Sequence, residues 1–228
     1  MRTMAERGQS RTSARQAGTA ASAALTRKAL LFDIVERVIV SLVFASFAWR
    51  MVANFQATAN GLTLLLFVSE ALPFVYVMLR APSATLSQHP IDWTFGVMGT
   101  VAPLLVRPVA VAPLVPLALC FVLMVVGLCI QIAAKVVLGR AFGIIAANRG
   151  IRVVGPYRII RHPMYAGYTI TQIGFLLSMP SPLNAALYAL ALTLQIARIY
   201  REERVLMHDA RYRKLAARVR YRLLPGVF

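Results

Sequence analysis

Acidic residues are scarce in this chain, with eight Asp and Glu against 25 Lys and Arg in 228 residues, a formal net charge of +17. Charge of either sign is scarce too: 14% of the residues, where ordinary soluble domains have about 25%. Hydrophobic residues fill 59% and the mean hydropathy is +0.67, which excludes a typical soluble domain and also excludes disorder along the whole length. A nucleic-acid-binding module of this charge would not carry so much apolar surface, so no nucleic acid is expected as a partner. Only two cysteines occur, Cys120 and Cys129, nine positions apart in one apolar run. On a helix that spacing is about 900°, so they face opposite sides and cannot pair. The three histidines, His89, His162 and His208, are scattered, and no metal site is expected. A Gly-rich nucleotide loop is also missing. The nearest spacing, Gly139-Arg-Ala-Phe-Gly143, is not GxGxxG, which excludes a soluble Rossmann enzyme.

What is present is a series of long apolar runs. With about 20 apolar residues needed per spanning helix, the chain has room for five or six. The runs are Leu30 to Val52, Gly61 to Leu79, Thr94 to Val106, Val109 to Val137, Met164 to Met179 and Leu183 to Tyr200. Asp33, Glu36 and Arg37 fall in one turn near the start of the first and suit the headgroup region. Arg50, near its far end, is expected to snorkel outward. Ala53 to Asn60 reads as a short loop. Glu70 lies inside the second run, where a buried acid is either functional or bonded to a neighbouring helix. The last two runs, split at Met179-Pro-Ser-Pro182, read as a helical hairpin. The fold expected is all-α and polytopic, with a C-terminal helical hairpin. It divides into a disordered basic tail (1–29), N-terminal transmembrane helices (30–137) and a C-terminal region (138–228, hairpin about 164–200).

Sorted by loop, the cations form three clusters: six in 1–30, six in 135–161 and nine in 198–222. The positive-inside rule puts all three on the cytoplasmic side, with both termini cytoplasmic and six crossings. A transit peptide has a composition like that of residues 1–29, but a cytoplasmic tail accounts for it equally well and is the reading adopted. The tail from Arg201 onward has Leu, Val and Tyr at near-helical spacing between Val205 and Leu224, as for a helix lying on the membrane surface.

Two segments are dense in reactive side chains: Gly155-Pro-Tyr-Arg-Ile-Ile-Arg-His-Pro-Met-Tyr165 and Arg198-Ile-Tyr-Arg-Glu-Glu-Arg204. Hairpin arms of similar length bring Tyr165 near Tyr200, so the two segments converge at the cytoplasmic face. Pro163 suits a first helical turn, and the free N–H groups there, beside Arg161 and His162, suit a carboxylate or phosphate. Gly155-Pro156 makes a tight turn, and Tyr157 offers a ring and a hydroxyl. Glu202 and Glu203 either accept from a ligand ammonium or ribose hydroxyl, or hold the arginines in place.

The string GPYRIIRHPMYAGY followed by REERVL resembles the RHPxY and EE signatures of the isoprenylcysteine carboxyl methyltransferase family, whose relatives are the phospholipid methyltransferases. The resemblance runs from about Leu138 through LGRAFGI to the closing Tyr-Arg-Leu-Leu-Pro-Gly. It implies S-adenosylmethionine as methyl donor, bound at the cytosolic face in a cofactor pocket open to the bilayer, and a catalytic role for the C-terminal region 138–228. It implies cofactor contacts at Arg149, Gly150, Ile151 and Arg152, at Tyr157, at His162, Pro163, Met164 and Tyr165, and at Glu203. Arg198 is the nearest match to the family's substrate-associated arginine; with Arg161 and Glu202 it completes the candidate catalytic set. The methyl acceptor expected is lipophilic and enters from the lipid: an isoprenylcysteine-type carboxylate, a lipid amine or a thiol. Membrane lipids are the surroundings expected, in a bacterial inner membrane. An RHxxY element also occurs in membrane sterol and steroid reductases, so a nicotinamide-dependent reductase stays open. So does a non-enzymatic transporter or scaffold in which the ion cluster is structural.

Overall fold

The structure, a computed structural model, describes residues 4–79, 90–138 and 154–228. Its helices are α1 (Met4–Thr58), α2 (Gly61–Leu79), α3 (Pro90–Val101), α4 (Leu117–Leu138), α5 (Pro163–Ser178), α6 (Pro182–Leu206) and α7 (Ala210–Arg218), and no strand occurs among the described residues. Four of them contain a stretch long and apolar enough to cross a membrane: Asp33–Thr58, Gly61–Leu79, Leu117–Leu138 and Pro182–Arg204. The outward faces carry Leu42, Trp49, Leu79 and Val136, each more than two-thirds exposed. An apolar exterior of that kind is what a bilayer covers. The chain is a membrane protein. Four is fewer than the five or six runs read from hydropathy, and the difference lies in two short pieces. One is α5, 16 residues and roughly 24 Å long; the other is the apolar stretch Gly96–Leu105, where α3 passes into a 3₁₀ turn.

Helix ends depart from the hydropathy reading where local chemistry decides them. The first helix does not stop at Val52 but continues to Thr58, because nothing in the polar stretch 53–58 breaks a helix. It ends at Ala59, which takes a left-handed φ of 53°, and Asn60 then caps the next helix by accepting from the Leu62 N–H at 3.0 Å. The run expected from Val109 becomes helical only at Leu117. Pro108, Pro113 and Pro116 remove donors ahead of it, and the Pro116 carbonyl accepts the first bonds, from Leu119 and Cys120. Cys120 is buried and Cys129 exposed, as their opposite-face spacing implies.

Packing joins the helices by close backbone approach and by polar side chains. α5 lies chiefly against α4 rather than along its hairpin partner α6, which packs on α3 and the turn after it. Gly127 on α4 faces Gly167 on α5, where a Cβ on Gly167 would come 2.7 Å from the Gly127 carbonyl oxygen. Gln131 Nε2 donates to Ser69 Oγ (2.9 Å) and Thr171 Oγ1 (3.1 Å), tying α4 to α2 and α5. Arg50 turns inward and donates to the Leu104 carbonyl (2.6 Å), a better partner at that depth than distant headgroups. Asp33 and Glu36 are likewise buried against protein, and Arg37 bridges Asp33 (2.9 Å) and the Met78 carbonyl (2.7 Å). Asn184 clamps the strand-like link before α4: its Oδ1 accepts from the Arg107 N–H (3.0 Å) and its Nδ2 donates to the Arg107 carbonyl (2.8 Å). Replacing Asn184 by Leu strands both backbone groups and is expected to cost about 1–3 kcal/mol, read as a lower Tm in detergent. A Tm unchanged within error would show the clamp to be idle.

Candidate functional site

Gly155 adopts φ +59°, a conformation open to glycine, and starts a 3₁₀ turn, Gly155–Arg158, that buries Tyr157. The tight turn read from Gly155-Pro156 is present. The chain then extends through Arg161 and His162, the residue that precedes α5, and Pro163 takes the first helical position. The extended pair is held by backbone bonds to the C-terminal segment: Arg161 N–H to the Tyr221 carbonyl and His162 N–H to the Arg222 carbonyl, both 2.9 Å. Arg161 Nη2 adds a bond to the Arg220 carbonyl (3.1 Å). That segment is closed on itself by Phe228, whose carbonyl accepts from the N–H groups of Arg222, Leu223 and Leu224. α7 precedes it as an amphipathic helix, with Tyr212 and Leu215 buried and Arg211, Arg213, Lys214 and Arg218 exposed. The surface-type periodicity expected between Val205 and Leu224 is thus divided between the end of α6, α7 and the closing turn.

Two adjacent glutamates on α6 collect the polar groups. Glu203, buried, takes Arg161 Nη1 at 2.9 Å and Arg222 Nε at 2.8 Å, with His162 Nε2 and the Tyr212 hydroxyl each at 3.3 Å. Three of these partners crowd Oε1, whereas Oε2 accepts only from Arg222 among the described residues and keeps a lone-pair position open. Glu202 accepts from the Tyr165 hydroxyl at 2.6 Å and lies 3.8 Å from His162 Nδ1 and 3.9 Å from Arg198 Nη2. The His162 ring therefore stands between the two carboxylates. Arg198 lies over the Tyr165 ring (5.4 Å), and Arg222 is stacked between Tyr200 and Phe228, 5.2 Å from each centroid. Burial, and secondarily the charge of Glu202, pushes the Tyr157 hydroxyl above its ordinary pKa. Burial and then Glu203 do the same to Tyr212, so both phenols stay neutral donors at any physiological pH.

Tyr157, Arg161, His162, Tyr165, Arg198, Glu202 and Glu203 are thus brought together, with Pro163 and Met164 opening α5 beside them. The convergence of the two polar segments is as expected: Tyr165 meets Glu202 and packs in one cluster with Ile199. Arg149, Gly150, Ile151 and Arg152 lie outside the described residues. Sequence reasoning missed Arg222 and Tyr212. The signals were the closing YRLLPG string for Arg222 and the near-helical spacing between Val205 and Leu224 for Tyr212, and no site role was attached to either. It also missed a cleft beside the cluster, between α2, α3, α5 and α6. Glu70, Met164, Tyr165, Tyr168, Gln172 and Arg198 all line it.

The order and spacing of these elements can be compared with known families. Residues 115–213 match the phospholipid methyltransferase family. The family resemblance read from the motifs is borne out, and it points to a membrane methyltransferase. The phospholipid methyltransferase match begins earlier than the motifs, taking in all of α4, and ends inside α7, short of Arg222. Among curated proteins, none matches the chain.

Proposed function

We propose that this protein transfers a methyl group from S-adenosylmethionine to a lipophilic or amphiphilic acceptor at the cytoplasmic face of the membrane. The observation that carries the reading is the meeting of His162 and Tyr165, from one polar segment, with Glu203 and Glu202 from the other, inside the stretch that matches the family. Six crossings, with α5 and the stretch 94–105 as short or tilted segments, keep all three cation clusters on the cytoplasmic side. A bacterial inner membrane suits that topology.

The residues present fit the donor. Arg161 Nε is buried with no hydrogen-bond partner among the described residues, and the first-turn N–H groups of Met164 and Tyr165 have no intrahelical acceptor. Together they suit a carboxylate, with the N-terminal end of the α5 dipole in support. When bound, S-adenosylmethionine supplies an electrophilic methyl group on a sulfonium. The chain's part is to position and to exclude water, which together lower a displacement barrier by several kcal/mol or more. Glu203 holds Arg161, His162 and Arg222 in place, and its Oε2, which accepts only from Arg222 among the described residues, has room for a ligand hydroxyl or ammonium. Tyr165 and Arg198 face both the cluster and the cleft, so an acceptor lying in the cleft is presented to the donor site.

The test is a thermal-shift titration with S-adenosylhomocysteine. At 100 times its Kd it is expected to stabilise the protein by about 2.7 kcal/mol, and His162→Ala is expected to abolish that gain. Stabilisation by NADPH without stabilisation by S-adenosylhomocysteine would overturn the reading in favour of a reductase.

A further inference from the structure

The cleft beside the ion cluster has two polar atoms that the reading above does not use. Glu70 is 6% exposed, and its Oε1 has no hydrogen-bond partner among the described residues. Gln195, 3% exposed, has its Oε1 in the same condition. Both side chains line the cleft, Glu70 from α2 and Gln195 from α6. Unsatisfied acceptors at this depth are costly, and two of them lining one cavity call for a ligand that brings N–H or O–H donors. A carboxylate ligand brings neither; beside Glu70 it would also set two like charges together in a poorly screened interior.

We propose that Glu70, with Gln195, seats an acceptor whose nucleophilic atom arrives carrying its proton, an ammonium above all, and that Glu70 is the group that takes that proton. This rests on the methyltransferase reading. A protonated nitrogen has no lone pair for attack. Its proton passes to Glu70 Oε1, and the freed pair forms the bond to the sulfonium methyl. The carbon–sulfur bond breaks with its electrons left on sulfur. Glu70 then returns the proton to water through the cleft mouth. Tyr165 and Arg198 line the cleft and also contact Glu202, so the cleft adjoins the candidate donor site.

The charged and titratable groups around Glu70 come from every neighbouring helix. Lys135 on α4 is buried over the Tyr168 ring (5.0 Å) and acts on Glu70 electrostatically. Tyr165 and Tyr168 face the cleft from α5, and Tyr188 and Arg198 approach from α6. Glu36 on α1 acts on Arg198. Lys135 supplies a compensating cation without occupying Oε1, whose place is left for the ligand.

The experiment uses the full-length protein in detergent with octylamine, octyltrimethylammonium, octanethiol and octanoate as probes. Without any methyl donor, octylammonium is expected to raise the Tm of the wild type, with an apparent Kd at least tenfold tighter than for Glu70→Gln. Octyltrimethylammonium, which keeps the charge but lacks N–H groups, should bind the wild type more weakly than octylammonium does and lose less on Glu70→Gln. With labelled S-adenosylmethionine, Glu70→Gln should lower methyl transfer to octylamine about 10²–10⁴-fold near neutral pH. The loss should shrink toward pH 10, where the amine arrives already deprotonated. Glu70→Asp should recover part of the rate, and S-adenosylhomocysteine should bind Glu70→Gln as it binds the wild type. A wild type that binds S-adenosylhomocysteine but methylates octanethiol or octanoate in preference to octylamine, or none of the three, overturns the proposal and leaves the methyltransferase reading standing. Equal octylammonium affinity in the wild type and Glu70→Gln overturns it as well, as does loss of S-adenosylhomocysteine binding in Glu70→Gln. A wild type that fails to bind S-adenosylhomocysteine removes the methyltransferase reading itself.

Discussion

Glu203→Ala is expected to destabilise the protein by about 3–5 kcal/mol and to abolish S-adenosylhomocysteine binding. The side chain joins Arg161, from the entrance of α5, to Arg222, from the C-terminal turn, at 2.9 and 2.8 Å. Arg161 is buried, so removing its carboxylate leaves a cation in a site that water reaches poorly. Arg222 is partly exposed and rehydrates at lower cost. Glu203→Gln keeps the shape and one acceptor, so an intermediate loss is expected. Paired Tm and binding measurements separate the two roles. An alanine variant with a wild-type Tm and lost binding would mean that Glu203 touches the ligand and holds nothing in place.

The second large effect is expected at the contact of α4 with α5. A Cβ added to Gly127 would lie 2.6 Å from the Gly167 carbonyl oxygen and 2.7 Å from the Thr171 nitrogen. These are backbone atoms, and no side-chain rotation relieves the clash. Gly127→Ala therefore forces the helices apart and is expected to cost roughly 1–3 kcal/mol, and Gly127→Val more. α5 carries His162 to Tyr165 at its N-terminal end, so the displacement reaches the ion cluster, and weaker S-adenosylhomocysteine binding should accompany the lower Tm. Gly61→Ala, with open space around the added carbon, is the control and should leave both unchanged.

Features set by local chemistry were legible in the sequence. α2 begins and ends where the hydropathy run does, and the turn at Gly155-Pro156 and the first-turn proline of α5 are present as read. The convergence of the two polar segments was also legible, because arm length and a proline break determine it. Contacts between distant positions were not. Arg50 was read as snorkelling because the Leu104 carbonyl lies 54 positions away and leaves no trace near residue 50. Hairpin connectivity likewise gave no sign that α5 would pack on α4, although Gly127, Gly167 and Gly174 hold the clue to a close approach. Arg222 and Tyr212 were missed because a basic tail reads as solvated charge until Glu203 is seen to gather it. Glu70 was singled out, but its neighbour Gln195, one polar residue in an apolar helix, was not.

The backbone bonds between residues 161–162 and 221–222 bear on how the protein is made. The Arg161 N–H must wait for its acceptor, the Tyr221 carbonyl, which comes far later in the chain. Through that interval α5 and α6 are made while Arg161 and His162 lack their final partners. The ion cluster is therefore completed only once the segment around Arg222 has been made. A nascent chain stalled before that point would hold every apolar helix and still lack a finished pocket.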